Sequence, residues 1–160
     1  VKQNINEYSI RMSDLINPEL IQVLDHVQDW EKAIEIAAAP LLERGSIQES
    51  YIAQMIENVK EYGPYIVIAP FVALAHALPS DGVMSLGISI LKLQNDVFFE
   101  EKPVSLVLVL APIDNRSHLG IMKDINILFN NKQFIHQLVS CNEPENINAL
   151  FKRYILEGED

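Results

Sequence analysis

Apolar residues recur along this chain with two periods, dividing it into a helical stretch, a block of strands and a second helical stretch. From residue 30 the spacing Trp30, Ala33, Ile34, Ala37, Leu41 predicts a helix with one apolar face. Asp29 serves as its cap, Pro40 kinks or tightens its end, and Gly45 closes it. Tyr51, Ile52, Met55, Ile56 and Val59 make the apolar face of a following helix. Ser46-x-x-Glu49 reads as its capping box, and Gly63-Pro64 stops it.

The period then shortens. Residues 65–69 and 72–75 are brief apolar strands separated by Pro70. Residues 84–93 alternate, with Met84, Leu86, Ile88, Ile90 and Lys92 on one face and Ser85, Gly87, Ser89 and Leu91 on the other. Residues 104–110 are almost wholly apolar, the pattern of a strand buried on both faces. Helical spacing returns with Leu119, Met122, Ile125 and Phe129, capped by Asn115 or Ser117. A short helix over residues 133–140 follows. Asn142-x-x-Glu145, with Pro144 in the first turn, opens the last helix. Residues 18–27 have no clear period, and residues 1–17, polar and irregular, are expected to be loosely held. Helices on both sides of a central run of strands predict a layered α/β fold, and a length of 160 residues predicts one domain over residues 1–160.

Composition narrows the classes of function. Hydrophobic residues make up 49% of the chain, enough for one core, and the net charge is −10. That charge argues against nucleic acid as a partner, because phosphates must be neutralised by clustered Lys and Arg. It suits a basic protein partner, or solubility alone. The single cysteine, Cys141, lies in a helical pattern and is read as structural; one cysteine permits no intrachain disulfide and no cysteine-based zinc site. This fits a reducing, cytoplasmic setting. The first residues carry no signal-peptide pattern, and the longest apolar runs fall short of the roughly 18 residues of a membrane span.

The candidate chemistry lies where the first apolar strands run into a turn, in GPYIVIAPFVALAHALPSDGV, residues 63–83. Strand ends that open into loops are where α/β folds place reactive groups. His76 stands there. With an ordinary pKa of about 6.5, an imidazole serves as nucleophile or proton carrier near neutrality. The plainer alternative is a core-edge histidine with one ring nitrogen bonded to a carbonyl. His118 is the second candidate, in the first turn of a helix whose amide groups favour an anion. Its plainer alternative is an exposed capping-turn residue. His26 and His136 read as surface or packing residues, and Ser80, Asp81 and Gly82 as turn chemistry. A metal hydrolase is a weak alternative, since no HxH or HExxH pattern is present.

The stretch around His76 resembles the active-site region of the EIIA components of the phosphoenolpyruvate-dependent sugar phosphotransferase system, in the mannitol/fructose class and its L-ascorbate-like branch. DWEKAIEIAAAPLLERGSI, residues 29–47, and NRSHLGIMKDINILF, residues 115–129, resemble the same family, so the likeness spans residues 25–150. It implies a three-layer fold with a mixed central sheet flanked by helices. It also implies a phosphocarrier without a cofactor or metal. His76 would accept a phosphoryl group from the carrier protein HPr and pass it to a cysteine of EIIB, and His118 would stabilise the phosphoryl group and orient the site. Membrane association would be indirect, through EIIC. The oligomeric state is left open, a dimer being one option.

The chain departs from the pattern of that family at four places. Ala75 replaces a proline before the histidine, Leu78 an arginine two residues after it, Phe71 a frequent glycine, and Asn58 an arginine near the end of the second helix. Losing a guanidinium removes a bidentate phosphate clamp, which nearby Lys60 can replace only in charge. Phe71, Leu74 and Leu78 either ring the histidine with apolar surface for a transient partner or pack inward. These departures keep a second reading alive, that of an EIIA-like module whose phosphorylation controls a transcription regulator or another partner.

Overall fold

The computed structural model describes residues 10–158. Five strands form one sheet: β1 (Ile21–Leu24), β2 (Val67–Ala69), β3 (Phe71–Ala75), β4 (Gly87–Phe99) and β5 (Lys102–Ala111), in the order β1-β4-β5-β3-β2. β1 runs parallel to β4 and β3 parallel to β5, while β4–β5 and β2–β3 are antiparallel. The sheet is therefore mixed, as the resemblance implies, within the layered α/β fold that the pattern predicts.

Helices α2 (Trp30–Glu43) and α3 (Glu49–Tyr62) cover one face. Helices α4 (Leu119–Phe129), α5 (Lys132–Val139) and α6 (Pro144–Gly158) cover the other, with the single-turn α1 (Met12–Leu15). Strand alternation sorts the core between the two layers. In β3, Ala73 and Ala75 face α2 and α3, while Val72 and Leu74 face the opposite side. Both faces of β5 are buried, as expected of a strand so uniformly apolar, and its phase slips at Ser105, where the register with β3 shifts. Phe129, Phe134, Phe151 and Tyr154 meet edge-on or tilted beneath α4 to α6.

Several local expectations are corrected. Residues 10–17 are not loosely held: Met12 and Ile16 are buried, and the Arg11 guanidinium pairs with the carboxylate of Asp124. Asp124, only 1% exposed, also accepts the Met12 amide at 2.9 Å. A buried carboxylate needs such partners, and the first turn of the chain's described part supplies them. Residues 1–9 lie outside the described residues. The unclear segment 18–27 holds a 3₁₀ turn, Pro18–Leu20, and edge strand β1.

Strand β4 starts at Gly87 rather than 84 and continues to Phe99. Its first seven residues are buried on both faces, Lys92 included. Asp29 caps α2 as expected, accepting the Lys32 amide at 2.9 Å, and Gly45 closes it with φ at 78°. Ser46 does not cap α3, whose N-cap is Gln48. Its hydroxyl instead bonds Ser85 at 2.9 Å, and its carbonyl accepts the amides of Met84 and Ser85. Asn142 likewise does not cap α6. Its side-chain oxygen accepts the buried Lys92 ammonium at 3.0 Å. Burial pushes the Lys92 pKa down, against a weaker upward pull from Cys141 and Asp96. Cys141 follows α5 rather than lying within it, and packs against the α4–α6 core.

Candidate functional site

β3 and β5 run side by side and parallel as far as the Ala75–Val109 pair, then part. The chain leaves β3 through His76 into residues 77–86, and leaves β5 through residues 112–118 into α4. The two loops flank a cleft of about 340 Å³ at the C-terminal edge of the strands. Among its walls are Asn58, Tyr65, His76, Leu78, Asn115 and His118. Parallel strands part into loops at this edge, which is why α/β folds bind ligands there.

His76 is half-buried. Its Nδ1 lies 2.9 Å from the Leu74 carbonyl oxygen. A carbonyl only accepts, so Nδ1 carries the proton and Nε2 carries the lone pair. The Tyr65 ring stands edge-on to the imidazole, with centroids 6.1 Å apart. Both alternatives read from the sequence thus meet in one residue: the ring is tied to a carbonyl, and that tie leaves the other nitrogen nucleophilic.

His118 takes the N-cap position of α4; its carbonyl accepts the Met122 amide at 3.0 Å, but its side chain makes no capping bond. Its Nδ1 is buried without a hydrogen-bond partner, although the ring borders the same cleft as His76. Neither Asn115 nor Ser117 caps the helix. Asp114 organises the turn instead, accepting the amides of Arg116 at 2.8 Å and Ser117 at 2.6 Å, and the Ser117 hydroxyl at 2.7 Å. The Ser117 hydroxyl first, then these amides, hold its pKa down at about 2, with a small contribution from His118. An asparagine-type turn built on aspartate therefore sets where His118 enters the helix.

A family model described as phosphoenolpyruvate-dependent sugar phosphotransferase system, EIIA 2, matches residues 14–154. The chain belongs to this EIIA family. The solution structure of the mannitol-specific cryptic phosphotransferase enzyme IIA of Escherichia coli superposes with a TM-score of 0.83 at 29% identity, covering 90% of this chain and 99% of that one. An ascorbate-specific EIIA component from E. coli strain K12 is 28% identical over 138 residues, 83% of this chain and 89% of its own length. Mannitol-type and ascorbate-type relatives are thus nearly equidistant, and the ascorbate-like branch is not singled out. The E. coli mannitol IIA, solved in complex with phosphorylated IIB, shares the fold with a TM-score of 0.73 at 20% identity, over 86% of this chain and 96% of that one.

Other residues of this EIIA fall as follows. Asn58 lines the cleft and accepts the Gln54 amide at 2.9 Å. Lys60 does not reach the cleft and pairs with Glu31 at 3.5 Å on the surface, so it supplies no charge there. Leu78 stands at the rim, 81% exposed, whereas Leu74 is buried and Phe71 lies at the opposite end of β3; the apolar ring around His76 does not form as a triplet. Ser80 accepts the Gly82 amide at 3.2 Å, which is turn chemistry. His26 is exposed beside Asp25, His136 is exposed on α5, and neither borders the cleft. The described residues contain no group of three or more His, Cys, Asp or Glu arranged to hold a metal, and no described helix is long and apolar enough to cross a membrane.

Sequence reasoning passed over Tyr65, Asp114 and Tyr51. Asp114 stands four residues before His118, a readable signal, whereas Tyr65 is eleven residues before His76 and only the fold brings the two rings together. Helical spacing marks Tyr51 only as part of an apolar face.

Proposed function

We propose that this EIIA is a phosphocarrier whose His76 accepts a phosphoryl group on Nε2 from phospho-HPr and donates it to a cysteine of EIIB. The observation that carries the reading is the bond from Nδ1 to the Leu74 carbonyl, which directs an unprotonated Nε2 to a cleft shared with His118. In the first step the Nε2 lone pair attacks phosphorus in line. A P–N bond forms on His76, the donor's P–N bond breaks, and its electron pair stays on the donor imidazole. The His76 proton remains on Nδ1, where the Leu74 carbonyl steadies the charge the ring acquires. In the second step a cysteine thiolate of EIIB attacks the same phosphorus, and the electron pair returns to Nε2.

Little covalent work falls to the protein, so positioning and charge stabilisation dominate. The N-terminus of α4 and the imidazole of His118 border the cleft that His76 faces, and in this reading they supply positive character to the phosphoryl oxygens. The pathway we assign is carbohydrate uptake of the L-ascorbate type or a related one, in the cytoplasm, with membrane association only through EIIC.

Phosphoenolpyruvate, enzyme I and HPr should label the protein, and the label should chase to the cognate EIIB. His76→Ala should abolish the label; full labelling of that variant overturns the assignment. A regulatory role is the second reading. It is favoured by the absence of any lysine or arginine among the described residues lining the cleft, where Asn58 stands instead. A carrier with less charge to stabilise transfer suits a slow phosphorylation switch. Chase to EIIB at a rate matching uptake rejects it.

A further inference from the structure

Tyr51 belongs to the first turn of α3, and its ring is wholly buried in the core between the sheet and α2/α3. Its hydroxyl, however, reaches through to the floor of the cleft. It accepts the Ala77 amide at 2.9 Å and donates to the Leu110 carbonyl at 2.7 Å; the Ala77 carbonyl is a more distant neighbour at 3.3 Å.

These contacts lie where the β3–β5 pairing stops. The last paired residues are Ala75 and Val109; continuing that register sets Ala77 opposite Ala111, so in a parallel ladder the Ala77 amide would reach the Leu110 carbonyl. In place of that bond one phenolic oxygen is inserted, taking the proton of one strand's amide and giving its own to the other strand's carbonyl. A direct amide–carbonyl bond spans about 2.9 Å, whereas this relay holds the two chains two bonds apart. Ala77 and Leu110 both line the cleft, so the spacer widens the gap into which His76 faces. The buried amide and carbonyl stay satisfied, which keeps the parting of the strands from costing two unpaired backbone groups.

Resting on the phosphocarrier reading above, we propose that Tyr51 is a positioning residue for His76. Its hydroxyl clamps the residue after the histidine to the end of β5. The clamp holds the backbone at 76 in the conformation that lets Nδ1 bond the Leu74 carbonyl two residues back, and so keeps Nε2 the only nucleophilic nitrogen. Without the clamp, residue 77 is released, the bond to Leu74 becomes one choice among several, and the tautomers interconvert.

The test is Tyr51→Phe in the full chain, beside Tyr154→Phe as a matched control. Tyr154 is another buried tyrosine, in the opposite layer, with its hydroxyl 3.1 Å from the Gln137 side-chain oxygen. Nitrogen-15 spectra of the imidazoles should show His76 of the parent protein with a protonated Nδ1 and a bare Nε2. In Tyr51→Phe the two shifts should move toward each other. The kcat for labelling by phospho-HPr should fall about tenfold or more, with KM for phospho-HPr little changed, since misplacement affects the reacting atom and not docking. Tyr154→Phe should keep the parental tautomer and rate.

Parental tautomer and kcat in Tyr51→Phe overturn the proposal, as does an equal loss in both variants. If Tyr51→Phe does not fold, 4-aminophenylalanine at position 51 donates to Leu110 but accepts poorly from Ala77. An intermediate tautomer shift is then expected, and a wholly parental spectrum overturns the proposal. Failure of the parent to be labelled at all sinks the phosphocarrier reading instead, while the tautomer shift still decides the role of Tyr51.

Discussion

The two ends of β3 make an instructive pair. Each opens into a cleft of similar size, about 340 Å³ beside His76 and about 380 Å³ beside Phe71. The Phe71 end is the more apolar in character, walled by Ile68, Pro70, Phe71 and Pro103, with Lys102 its one ionisable group. It even carries the more unusual backbone, since Phe71 has φ at 68°, in the left-handed region where a bulky side chain is strained. Yet only the His76 end gathers polar atoms with fixed directions: an imidazole with an assigned proton, a second imidazole with an orphaned nitrogen, and a helix N-terminus. On the proposed relay, volume and strain therefore do not mark the reactive end of a strand. What marks it is the C-terminal edge of parallel neighbours, where the loops diverge and side chains converge.

This contrast can be broken most directly at His76. Replacing it with alanine should remove phosphoryl labelling entirely, whereas Phe71→Gly at the other end should leave the rate as it was. A loss of labelling in Phe71→Gly would undo the distinction. His118→Ala should come next in size, slowing labelling by about ten- to hundredfold without erasing it, as expected for one lost group that stabilises a transferring anion. A rate equal to that of the parent protein would remove His118 from the site.

Gly82 offers a sharper probe of how the loop after His76 is held. Its carbonyl accepts the Gln48 amide at 2.8 Å, and a Cβ there would lie 2.7 Å from the Ser50 hydroxyl and 3.1 Å from the Tyr51 amide nitrogen. Gly82→Ala should cost about 1–3 kcal/mol of stability in denaturant melts. An unchanged midpoint would mean the loop yields freely. Phe71→Gly has a smaller effect of opposite sign: relief of the left-handed conformation should stabilise by at most about 1 kcal/mol, because glycine's own entropy and the lost ring contacts offset part of the gain.

The smallest expected effect concerns pH. The Asp114 pKa is about 2 in the folded protein, below its ordinary 3.8. A depressed carboxylate pKa stabilises the fold fully above the ordinary value, and that stabilisation fades as pH falls from 3.8 toward about 2. A carboxyl carbon titration by NMR should place the Asp114 midpoint near 2. A midpoint near 3.8 would show that the Ser117 bonds do not hold the turn ahead of His118.

Much of the fold was legible in advance because it depends on spacing. The faces of α2 and α3, the two-sided burial of β5 and the position of His76 at a strand end follow from residues a few places apart. The capping assignments fared worse. Ser46, Asn142 and Ser117 each have the right chemistry at the right offset, yet each spends its side chain elsewhere: on Ser85, on Lys92 and on Asp114. A cap motif predicts one local partner, and another can claim the same side chain: a distant one for Ser46 and Asn142, and a carboxylate three residues back for Ser117. Among the described residues, Asn142 alone hydrogen-bonds the buried Lys92 ammonium.

By itself, then, the amino-acid order determined the periods of helix and strand, the layers they must build and an imidazole placed where a strand gives way to a turn. Tertiary structure alone decided that Arg11 meets Asp124 across 113 residues and that the Tyr51 hydroxyl bridges chain segments 26 and 59 residues away. The physical reason is range. Propensity and periodicity act within a turn or two of helix, whereas the meeting of distant polar groups is set by sheet register and by which layer each helix packs against.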